Sequence, residues 1–589
     1  MPDSEKRVCQ NCKAEFKIEP EDFKFYEKIK VPPPTFCPEC REQRRIAFRN
    51  ERALYYRKCD LCGENVVSRV SPDKSYKMYC RKCWWSDKWD SLTYAQEYDF
   101  SRPFFEQFKE LLFATPHISL LSSNTVNSEW VNQETDDKNC YLNVGGHFNE
   151  DSAYNTYELY GKDNFDNYWL LHSELCYGNL NCDRCYRALF SRECFDCIDT
   201  ILSSDCRNCM NIFGCAGLRN QQYRIFNKRV TKEEYQDFLK NNPLTSYKKL
   251  SALREKAQEV WLSVPHRDAF IVKCTDCSGN FINESRRAKN AWNAERVEDS
   301  KNLYIVGYVK DCYDLTSFGG CELVYEGAHS GGLYNSKFVL YNMGGDVFKP
   351  SGASYLEYCY SAITSNNCFG CANLRNKEYC ILNKQYTKEE HEKLVPKIVE
   401  HMNGMPYVDK KGRAYKYGEF FPIEFSPFGY NETAAQDWYP LTKEEAAEKG
   451  YPWSDYESQS QYEFSDYEIP DDITEVQDDV LEKVLKCEVS GKAYRIIPME
   501  LQFLRRMGLP IPRRSPLQRH KDRISKLLPR RLYKRNCQCA GEVDDNKIYK
   551  NTAKHFHGEK HCPNTIQTPY EANRPEVVYC EKCYLAEVV

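Results

Sequence analysis

Residues 182–211 read CDRCYRALFSRECFDCIDTILSSDCRNCMN, and this stretch decides how the middle of the chain is interpreted. Its three C-x-x-C pairs begin at Cys182, Cys194 and Cys206, so they recur with a constant period. Related units recur from about residue 120 to residue 405, each with a turn signal followed by alternating apolar and polar residues. Short strands between evenly spaced turns predict a repetitive β-structure.

Two such units make a coil of about 24 residues, which suits a right-handed parallel β-helix. Residues 213–235 match residues 369–391 at 15 of 23 positions with an offset of 156, so the region is duplicated. Each copy runs into a capping box that starts at Thr231 or Thr387 and predicts a helix. The predicted fold class is therefore mainly β: a duplicated solenoid with short capping helices, flanked at both termini by zinc-ribbon or treble-clef-like modules.

The C-x-x-C pairs of the repeats have two interpretations. They could hold metal ions or iron–sulfur clusters. Alternatively, they form a ladder of buried cysteines, because cysteine is among the most buried residue types. Tyr, Phe, Asn and Ser take equivalent places in neighbouring units, which favours the ladder. The pairs Cys274/Cys277 and Cys368/Cys371 are interpreted in the same way.

Two cysteine quartets stand at the N-terminus, each made of two C-x-x-C pairs separated by a longer segment. They are Cys9, Cys12, Cys37 and Cys40, and then Cys59, Cys62, Cys80 and Cys83. Four thiolates complete the tetrahedral coordination of Zn²⁺ and leave no open position, so a structural role is predicted. Each module has few apolar residues, and metal binding would supply folding free energy.

The C-terminus repeats this arrangement at an offset of 478 positions without a gap. Cys9 falls on Cys487, Arg41 on Arg519 and Cys59 on Cys537. The first site of the copy is degenerate, because Ser490, Ser515 and Gln518 replace three of its four cysteines. We predict that this half holds no zinc and is folded by packing alone.

The second C-terminal site is altered. Its predicted ligands are Cys537, Cys539, Cys580 and Cys583. A 22-residue insertion adds four donor-type residues, His555, His557, His561 and Cys562, as a candidate further site. The alternative for the insertion is a solvated polar loop. Three structural Zn²⁺ ions are expected, with this cluster as the candidate fourth.

Basic residues cluster beside the cysteines, with twelve Lys or Arg against one Asp in residues 505–535. Clustered arginine on one module is typical of phosphate contacts with nucleic acid. The alternative is a solvated basic face that balances the charge of zinc–thiolate centres. The predicted nucleic-acid-binding residues are Arg41, Arg44, Arg45, Arg49, Arg505, Arg506, Arg513, Arg514, Arg519, Lys521, Arg523, Arg530 and Arg531.

Residues 454–482 contain eleven Asp or Glu and no Lys or Arg. This composition predicts a disordered acidic linker. Because it directly precedes the basic module, it could also lie over that module and compete with nucleic acid.

The predicted domains follow from these patterns. They are two zinc-ribbon modules (1–57 and 58–92), a helical linker (93–120), two β-helical lobes with capping helices (121–265 and 266–405), an extended acidic linker (406–482), a degenerate basic zinc-ribbon module (483–535) and a C-terminal zinc-ribbon module (536–589).

The N-terminal motif, with Cys9-x-x-Cys12 and Cys37-Pro38-x-Cys40, resembles the zinc-ribbon domain widespread in uncharacterised bacterial proteins. The whole layout, including KCDLCG at 58–63 and KHFHGEKHCPN at 554–564, resembles a family from uncultivated bacterial lineages. The resemblance implies zinc-ribbon modules and no known activity. Members are sometimes labelled CaiB/BaiF-type CoA-transferases, but the middle lacks the strand–helix alternation of a CoA-binding α/β domain.

The 589-residue chain begins without an apolar signal segment and has no apolar run of membrane-spanning length. A reducing cytoplasm is the expected compartment, where its 31 cysteines stay available as thiolates. Its formal net charge is −4, with the positive charge concentrated near the cysteines.

We interpret the chain as a non-enzymatic zinc protein that binds RNA, a ribonucleoprotein or another macromolecule through its basic ends. A protein-interaction scaffold is the alternative, and no small-molecule substrate is identified. A carbohydrate-active enzyme is the third reading and would require paired carboxylates on an exposed sheet. Asp and Glu of the repeats occupy turn-like places, and His147, His172 and His329 have no partner identifiable from sequence.

Overall fold

The computed structural model describes residues 4–317, 320–328, 332–341, 352–456, 463–541 and 548–588. The chain divides into two compact units, and each is built from two separate stretches. Unit 1 comprises Met1–Leu121 and Phe270–Glu457, and unit 2 comprises Ser122–Ala269 and Ser458–Val589. Each unit therefore joins one pair of terminal modules to one copy of the repeats.

The described residues contain twelve α-helices. These are α1 (Pro20–Lys28), α2 (Pro38–Ile46), α3 (Arg81–Trp84), α4 (Phe104–Ala114), α5 (Lys232–Asn241), α6 (Tyr247–Leu262), α7 (Lys388–Gly404), α8 (Ala434–Trp438), α9 (Lys443–Lys449), α10 (Pro498–Met507), α11 (Pro516–Ile524) and α12 (Glu581–Val588). The predicted capping boxes of α5 and α7 are present, since the Thr231 and Thr387 hydroxyls accept hydrogen bonds from the helix backbone.

The strands are short, apart from one that winds through two repeats. They are β1 (Glu5–Val8), β2 (Glu15–Ile18), β3 (Tyr55–Lys58), β4 (Asn65–Ser68), β5 (Met78–Tyr79), β6 (His117–Ile118), β7 (Thr156–Leu159), β8 (Tyr168–Leu171), β9 (Leu180–Asp183), β10 (Tyr186–Leu189), β11 (Ile198–Ile201), β12 (Met210–Phe213), β13 (Gln222–Ile225), β14 (Lys228–Arg229), β15 (His266–Arg267), β16 (Ile271–Val272), β17 (Gly279–Asn283), β18 (Arg286–Lys310), β19 (Ser354–Glu357), β20 (Asn366–Phe369), β21 (Cys380–Ile381), β22 (Lys384–Gln385), β23 (Tyr407–Val408), β24 (Ala414–Tyr415), β25 (Leu485–Lys486), β26 (Ala493–Tyr494), β27 (Tyr533–Asn536), β28 (Thr565–Thr568) and β29 (Val578–Tyr579).

The repeats pair with one another in parallel, each unit with the next along the chain. Ser123 pairs with Thr135, and Tyr186 of β10 pairs with Ile198 of β11. Every third residue has a positive φ, for example 52° at Asp151 and 63° at Tyr154. A left-handed residue costs a non-glycine side chain about 1–2 kcal/mol. The bends recur even along β18, so the chain turns within each repeat instead of running straight.

The interior of the repeats also follows a period of three. Asn143, Asn155 and Asn167 are buried, and each side-chain oxygen accepts a hydrogen bond from the equivalent backbone N–H of the next unit, at 2.8–3.0 Å. The cysteines of the C-x-x-C pairs occupy buried positions of the same period, except for the partly exposed pair Cys274/Cys277. These buried asparagines are thus paired with the next repeat.

The prediction of a mainly β chain built on a duplicated right-handed parallel β-helix is wrong. The described residues form twelve helices and separate sheets of two to five strands, without one continuous sheet along the repeats. Pairing joins adjacent units, whereas a coil made of two units would pair every unit with the next but one. Alternating apolar and polar residues imply a period of two, but burial and backbone bends recur every third residue. The cysteine clusters at both ends fit zinc-ribbon modules.

Buried ion pairs attach the first module to the repeats of unit 1. Helix α2 directs Arg41 and Arg45 to Asp314, with N···O distances of 3.0 and 3.5 Å. The next arginine, Arg44, contacts Glu326 at 2.6 Å. All five side chains are buried. The charges of α2 are therefore neutralised inside the unit.

The same arrangement occurs in unit 2. Helix α11 directs Arg519 and Arg523 to Asp166, at 2.6 and 2.8 Å. Arg519 also contacts Glu500 of α10 at 2.7 Å. Arg519 and Arg523 stand at the places of Arg41 and Arg45 under the offset of 478. Both units thus use the same helix position for a buried pair.

Replacing Arg519 with methionine should destabilise unit 2 by about 3–5 kcal/mol, because Asp166 and Glu500 would lose a buried counter-charge. Urea unfolding followed by circular dichroism would measure the loss. The matched control is Arg505→Met, which removes a partly exposed pair with Asp478 and should cost at most about 1 kcal/mol. Equal effects of the two substitutions would contradict a structural role for the buried pair.

Candidate metal centres

The first N-terminal centre is built from a hairpin and a helix start. Cys9 and Cys12 lie in the turn between β1 and β2, while Cys37 precedes α2 and Cys40 lies within it. Their four sulfur atoms lie within 4.8 Å of one another. The Sγ atoms of Cys12 and Cys37 are 3.7 Å apart, and the backbone N–H of Cys37 donates to Cys9 Sγ at 3.3 Å. Hydrogen bonds from the Cys37 and Cys40 thiols lower the pKa of Cys9 far below its ordinary value, which favours a thiolate.

The second N-terminal centre repeats this construction. Cys59 and Cys62 lie between β3 and β4, where Gly63 takes the positive φ of 79° that closes the turn. Cys80 caps α3 and its N–H donates to Cys59 Sγ at 3.2 Å. Although burial opposes it, backbone N–H groups of Cys80 and Cys62 lower the pKa of Cys59 to about 7. The four sulfurs again lie within 4.8 Å of one another.

The C-terminal module contains two donor groups. One comprises Cys537, Cys562, Cys580 and Cys583, and the other comprises Cys539, His555, His557 and Cys583. Cys583 belongs to both groups. In each group the donor atoms lie within 4.8 Å of one another.

These groups differ from the two predicted ligand sets. Cys562 takes the place predicted for Cys539, which instead meets His555 and His557. Only one residue separates Cys537 from Cys539, so this pair does not form the turn that brings Cys9 and Cys12 together. The Cys539 thiol faces the insertion instead. His561 belongs to neither group and is exposed. Part of the insertion, residues 542–547, lies outside the described residues.

Hydrogen bonds orient both histidines toward the sulfurs. His555 directs Nδ1 to Cys539 Sγ at 3.6 Å while its Nε2 contacts the buried Glu587 carboxylate at 2.7 Å. His557 directs Nε2 to Cys583 Sγ at 3.3 Å, and its Nδ1 lies 2.6 Å from the Lys560 carbonyl. Metal-ligating histidines usually have such a partner on the second nitrogen. Sequence spacing alone could not identify Glu587, which is distant from His555 along the chain.

The degenerate module keeps its local form without a donor group. Cys487 remains buried, and Ser515 caps α11 by accepting a hydrogen bond from the Gln518 N–H at 3.3 Å. Among the described residues, Cys487 joins no cluster of metal-donor side chains. A serine hydroxyl thus does the capping at the position where Cys37 precedes α2.

The C-x-x-C pairs of the repeats form no donor cluster in the part of the chain that the structure describes. Their thiols contact backbone carbonyls instead. Cys185 Sγ, for example, lies 3.5 Å from the Asp183 oxygen and 3.4 Å from the Cys194 oxygen. The pair Cys274/Cys277 differs in being partly exposed.

Six of the twelve arginines predicted to contact nucleic acid lie inside the units. Arg41, Arg44, Arg45, Arg49, Arg519 and Arg523 are at most 9% exposed. They contact the carboxylates described above, and Arg49 contacts Glu51. Buried guanidinium groups cannot reach a phosphate backbone on the surface. Lys521 and Arg531 are exposed, and Arg530 is half-buried.

The acidic segment contacts the basic module, and its described part is ordered. Arg505 lies 2.6 Å from Asp478, and Arg513 lies 3.9 Å from Asp471. Ile473, within the same segment, is buried against the module. Residues 457–462 lie outside the described residues. The disorder predicted from composition is thus overridden by apolar residues that reach the core.

Two further predicted arginines also have carboxylate partners. Arg506 pairs with Asp163 at 3.0 Å, and Arg514 pairs with Glu488 and Asp522 at 2.7 Å each. Much of the positive charge visible in the sequence is therefore paired with carboxylates within unit 2.

Within the part of the chain that the structure describes, the carboxylates and histidines considered for an enzyme form no cluster of three or more donor atoms. Glu158 is buried and accepts four side-chain hydrogen bonds, including 2.7 Å bonds from Asn155 and Asn164. His172 stacks on Tyr160 with ring centroids 5.1 Å apart. His329 lies outside the described residues.

A comparison with models of known protein families found no match for this chain, and a comparison with curated proteins found none either. Among the described residues, none of the helices combines the length and the apolar character that crossing a membrane requires.

Replacing Cys9 with serine should remove about one metal ion per chain after dialysis against a competing chelator, because the centre keeps only three thiolates. The matched control is Cys487→Ser, which alters the equivalent cysteine of the degenerate module and should leave the metal content unchanged. Elemental analysis of the purified chains measures both. Loss of metal from the control, or none from Cys9→Ser, would show that the donor groups are assigned wrongly.

Proposed function

We propose that this protein is a non-enzymatic zinc protein whose ions have a structural role. The observation that carries the proposal is that each donor group supplies four sulfur or imidazole donors within 4.8 Å of one another. Four such ligands complete a tetrahedral zinc site and leave no position for a substrate. In a tetrahedral site with Zn–S bonds of about 2.3 Å, two sulfurs lie about 3.8 Å apart. The sulfur pairs Cys12/Cys37 and Cys62/Cys80 are separated by 3.7 and 3.9 Å.

The C-terminal module would hold two zinc ions that share the Cys583 thiolate. Seven side chains supply eight coordination positions when one thiolate bridges. Cys562 and Cys580, on the inner ion, have sulfurs 3.9 Å apart, and a bridge from Cys583 places the imidazoles of His555 and His557 on the outer ion. The protein would then bind four zinc ions, two in each terminal pair of modules.

Removing two donors of the outer ion tests this arrangement. The double variant Cys539→Ala/His557→Ala should lower the zinc content from about four to about three ions per chain, since the inner ion keeps four thiolates. His561→Ala is the control, because His561 belongs to neither donor group, and this variant should retain all four zinc ions.

In cadmium-substituted protein, NMR should show scalar coupling between two cadmium ions through the bridging sulfur.

Different results would contradict the two parts of the proposal, which are zinc binding itself and the sharing of the Cys583 thiolate by two ions. Purified chain without zinc would contradict the zinc role itself. Three ions per chain, unchanged in the double variant and with no cadmium–cadmium coupling, would contradict only the shared thiolate.

The role of the repeats would be to present a surface to a protein partner. Tyr186, Ile198 and Met210 begin three adjacent parallel strands, β10 to β12, and are paired in register. They are 45, 42 and 42% exposed and form an apolar column across the sheet. Contiguous exposed apolar surface is typical of interaction sites. This column supports a protein partner, whereas the burial of six of the twelve predicted arginines weakens the support for RNA.

The double variant Ile198→Glu/Met210→Glu should abolish recovery of the partner from host extract, because it places two charges in the apolar column. Val489→Glu changes another exposed apolar residue of unit 2 and serves as the control. Recovery that survives the column variant, or that ribonuclease abolishes, would count against a protein partner at this surface. Steeply salt-sensitive retention on RNA would restore the nucleic-acid alternative.

A further inference from the structure

A cavity of about 660 Å³ lies within unit 2. One wall is the face of α6 that carries Tyr247, Arg254 and Trp261, and the repeats supply a second wall that includes Phe190 and Arg192. Residues of the two C-terminal modules complete it. A cavity of this volume is in the range of small-molecule pockets and can contain a ligand of nucleotide size.

The walls of the cavity carry an excess of positive charge. The cationic side chains are Arg192, Arg254, Arg513, Arg514, Arg519, Arg523, Lys526 and Arg574, against the acids Asp166, Asp522 and Glu576. Each of these acids already contacts a lining arginine: Asp166 contacts Arg519 and Arg523, Asp522 contacts Arg514, and Glu576 contacts Arg574. The three lining acids are therefore already paired, and they do not compensate the charge of the other lining cations.

Three of the cations have no carboxylate partner. Arg192, Arg254 and Lys526 form no ion pair with any residue that the structure describes. Arg254 and Lys526 keep solvent-exposed surface, so an anion that enters the cavity can reach them. Partial desolvation by the cavity walls, together with repulsion by Arg254, lowers the pKa of Lys526 to about 8. Gathering unpaired cations costs free energy, and an anion in the cavity would offset that cost.

Aromatic rings hold the guanidinium groups in place. Arg254 lies over the ring of Phe190 at 3.9 Å, and Arg192 lies over Trp261 at 5.1 Å. A guanidinium group in contact with a ring face can still donate its N–H groups to phosphate oxygens. The cations are thus oriented without using up all their hydrogen-bond donors.

Comparison with unit 1 shows that two lining cations replace core residues. Under the offset of 478, Arg514 and Lys526 stand where unit 1 has Phe36 and Phe48. Both phenylalanines are buried in the hydrophobic core of unit 1. Packing alone does not require a charge at position 514 or 526, because the equivalent module of unit 1, which has all four metal ligands, has phenylalanine at both positions.

We propose that the cavity binds a small anionic ligand that carries phosphate groups, with Arg192, Arg254 and Lys526 contacting the phosphate oxygens. The volume fits a nucleotide, and the same cations would also bind a free pyrophosphate. This site is separate from the metal centres and does not depend on the role proposed for them.

Calorimetry on the zinc-loaded full chain at low salt tests the proposal, with ATP, pyrophosphate, inorganic phosphate and adenosine as probes. ATP and pyrophosphate should bind, and adenosine should not. Tighter binding of ATP than of pyrophosphate would identify the ligand as a nucleotide. Equal binding of the two would identify it as a polyphosphate group. Arg254→Gln and Lys526→Gln should each weaken binding about 10- to 100-fold through loss of a charged hydrogen bond.

Two further variants separate binding from folding. Lys526→Phe introduces the residue of unit 1, and should raise the melting temperature while weakening binding at least as much as Lys526→Gln does. Arg505→Gln removes an arginine outside the cavity and should leave the affinity unchanged. The proposal is overturned if no phosphate probe binds, if the Arg254 and Lys526 variants bind normally, or if only an RNA oligonucleotide binds.

Discussion

The buried contact between a module arginine pair and one aspartate is the constraint on which each unit depends. Arg41 and Arg45 meet Asp314 in unit 1, and Arg519 and Arg523 meet Asp166 in unit 2. Desolvated charges must be paired closely, so the helix, the repeat and the neighbouring cysteines are held in one register. In unit 1, helix α2 also carries Cys40 of the first metal centre, so the ion pairs and the metal donors share this helix.

The aspartates are equivalent despite an apparent mismatch in spacing. The repeats are offset by 156 positions at their ends, whereas Asp166 and Asp314 are 148 apart. Leu340 pairs with Tyr360, although the regular period of the units would pair it with Gly352. The second copy therefore contains an insertion at this point, and its length equals the difference between the two offsets. The pairing of two arginines with one aspartate was thus present before the units diverged. It was retained in unit 2 although the degenerate module lost its metal ligands.

Sequence could predict the N-terminal donor residues because metal chemistry is local: the spacing of Cys9 and Cys12 indicates a knuckle. Spacing alone does not separate them from Cys182 and Cys185, which have the same spacing because every third residue is buried. The Tyr, Phe, Asn and Ser residues at equivalent places in neighbouring units make the ladder the favoured interpretation. The backbone that causes this period places Tyr154 at a positive φ, which no propensity predicts. Sequence reasoning could not recognise the buried arginines because their acids are distant along the chain, as Glu326 is from Arg44.

Unit 2 differs from unit 1 in a way that packing does not explain. Loss of a metal site removes ligands, and three of them became Ser490, Ser515 and Gln518, which need no further change nearby. Yet the buried positions of Phe36 and Phe48 became Arg514 and Lys526, at the edge of a cavity rather than in a filled core. A merely decaying module would keep apolar residues, since they supply its remaining stability. Charges that cost stability at these positions are retained more readily if they contact something that the unit binds.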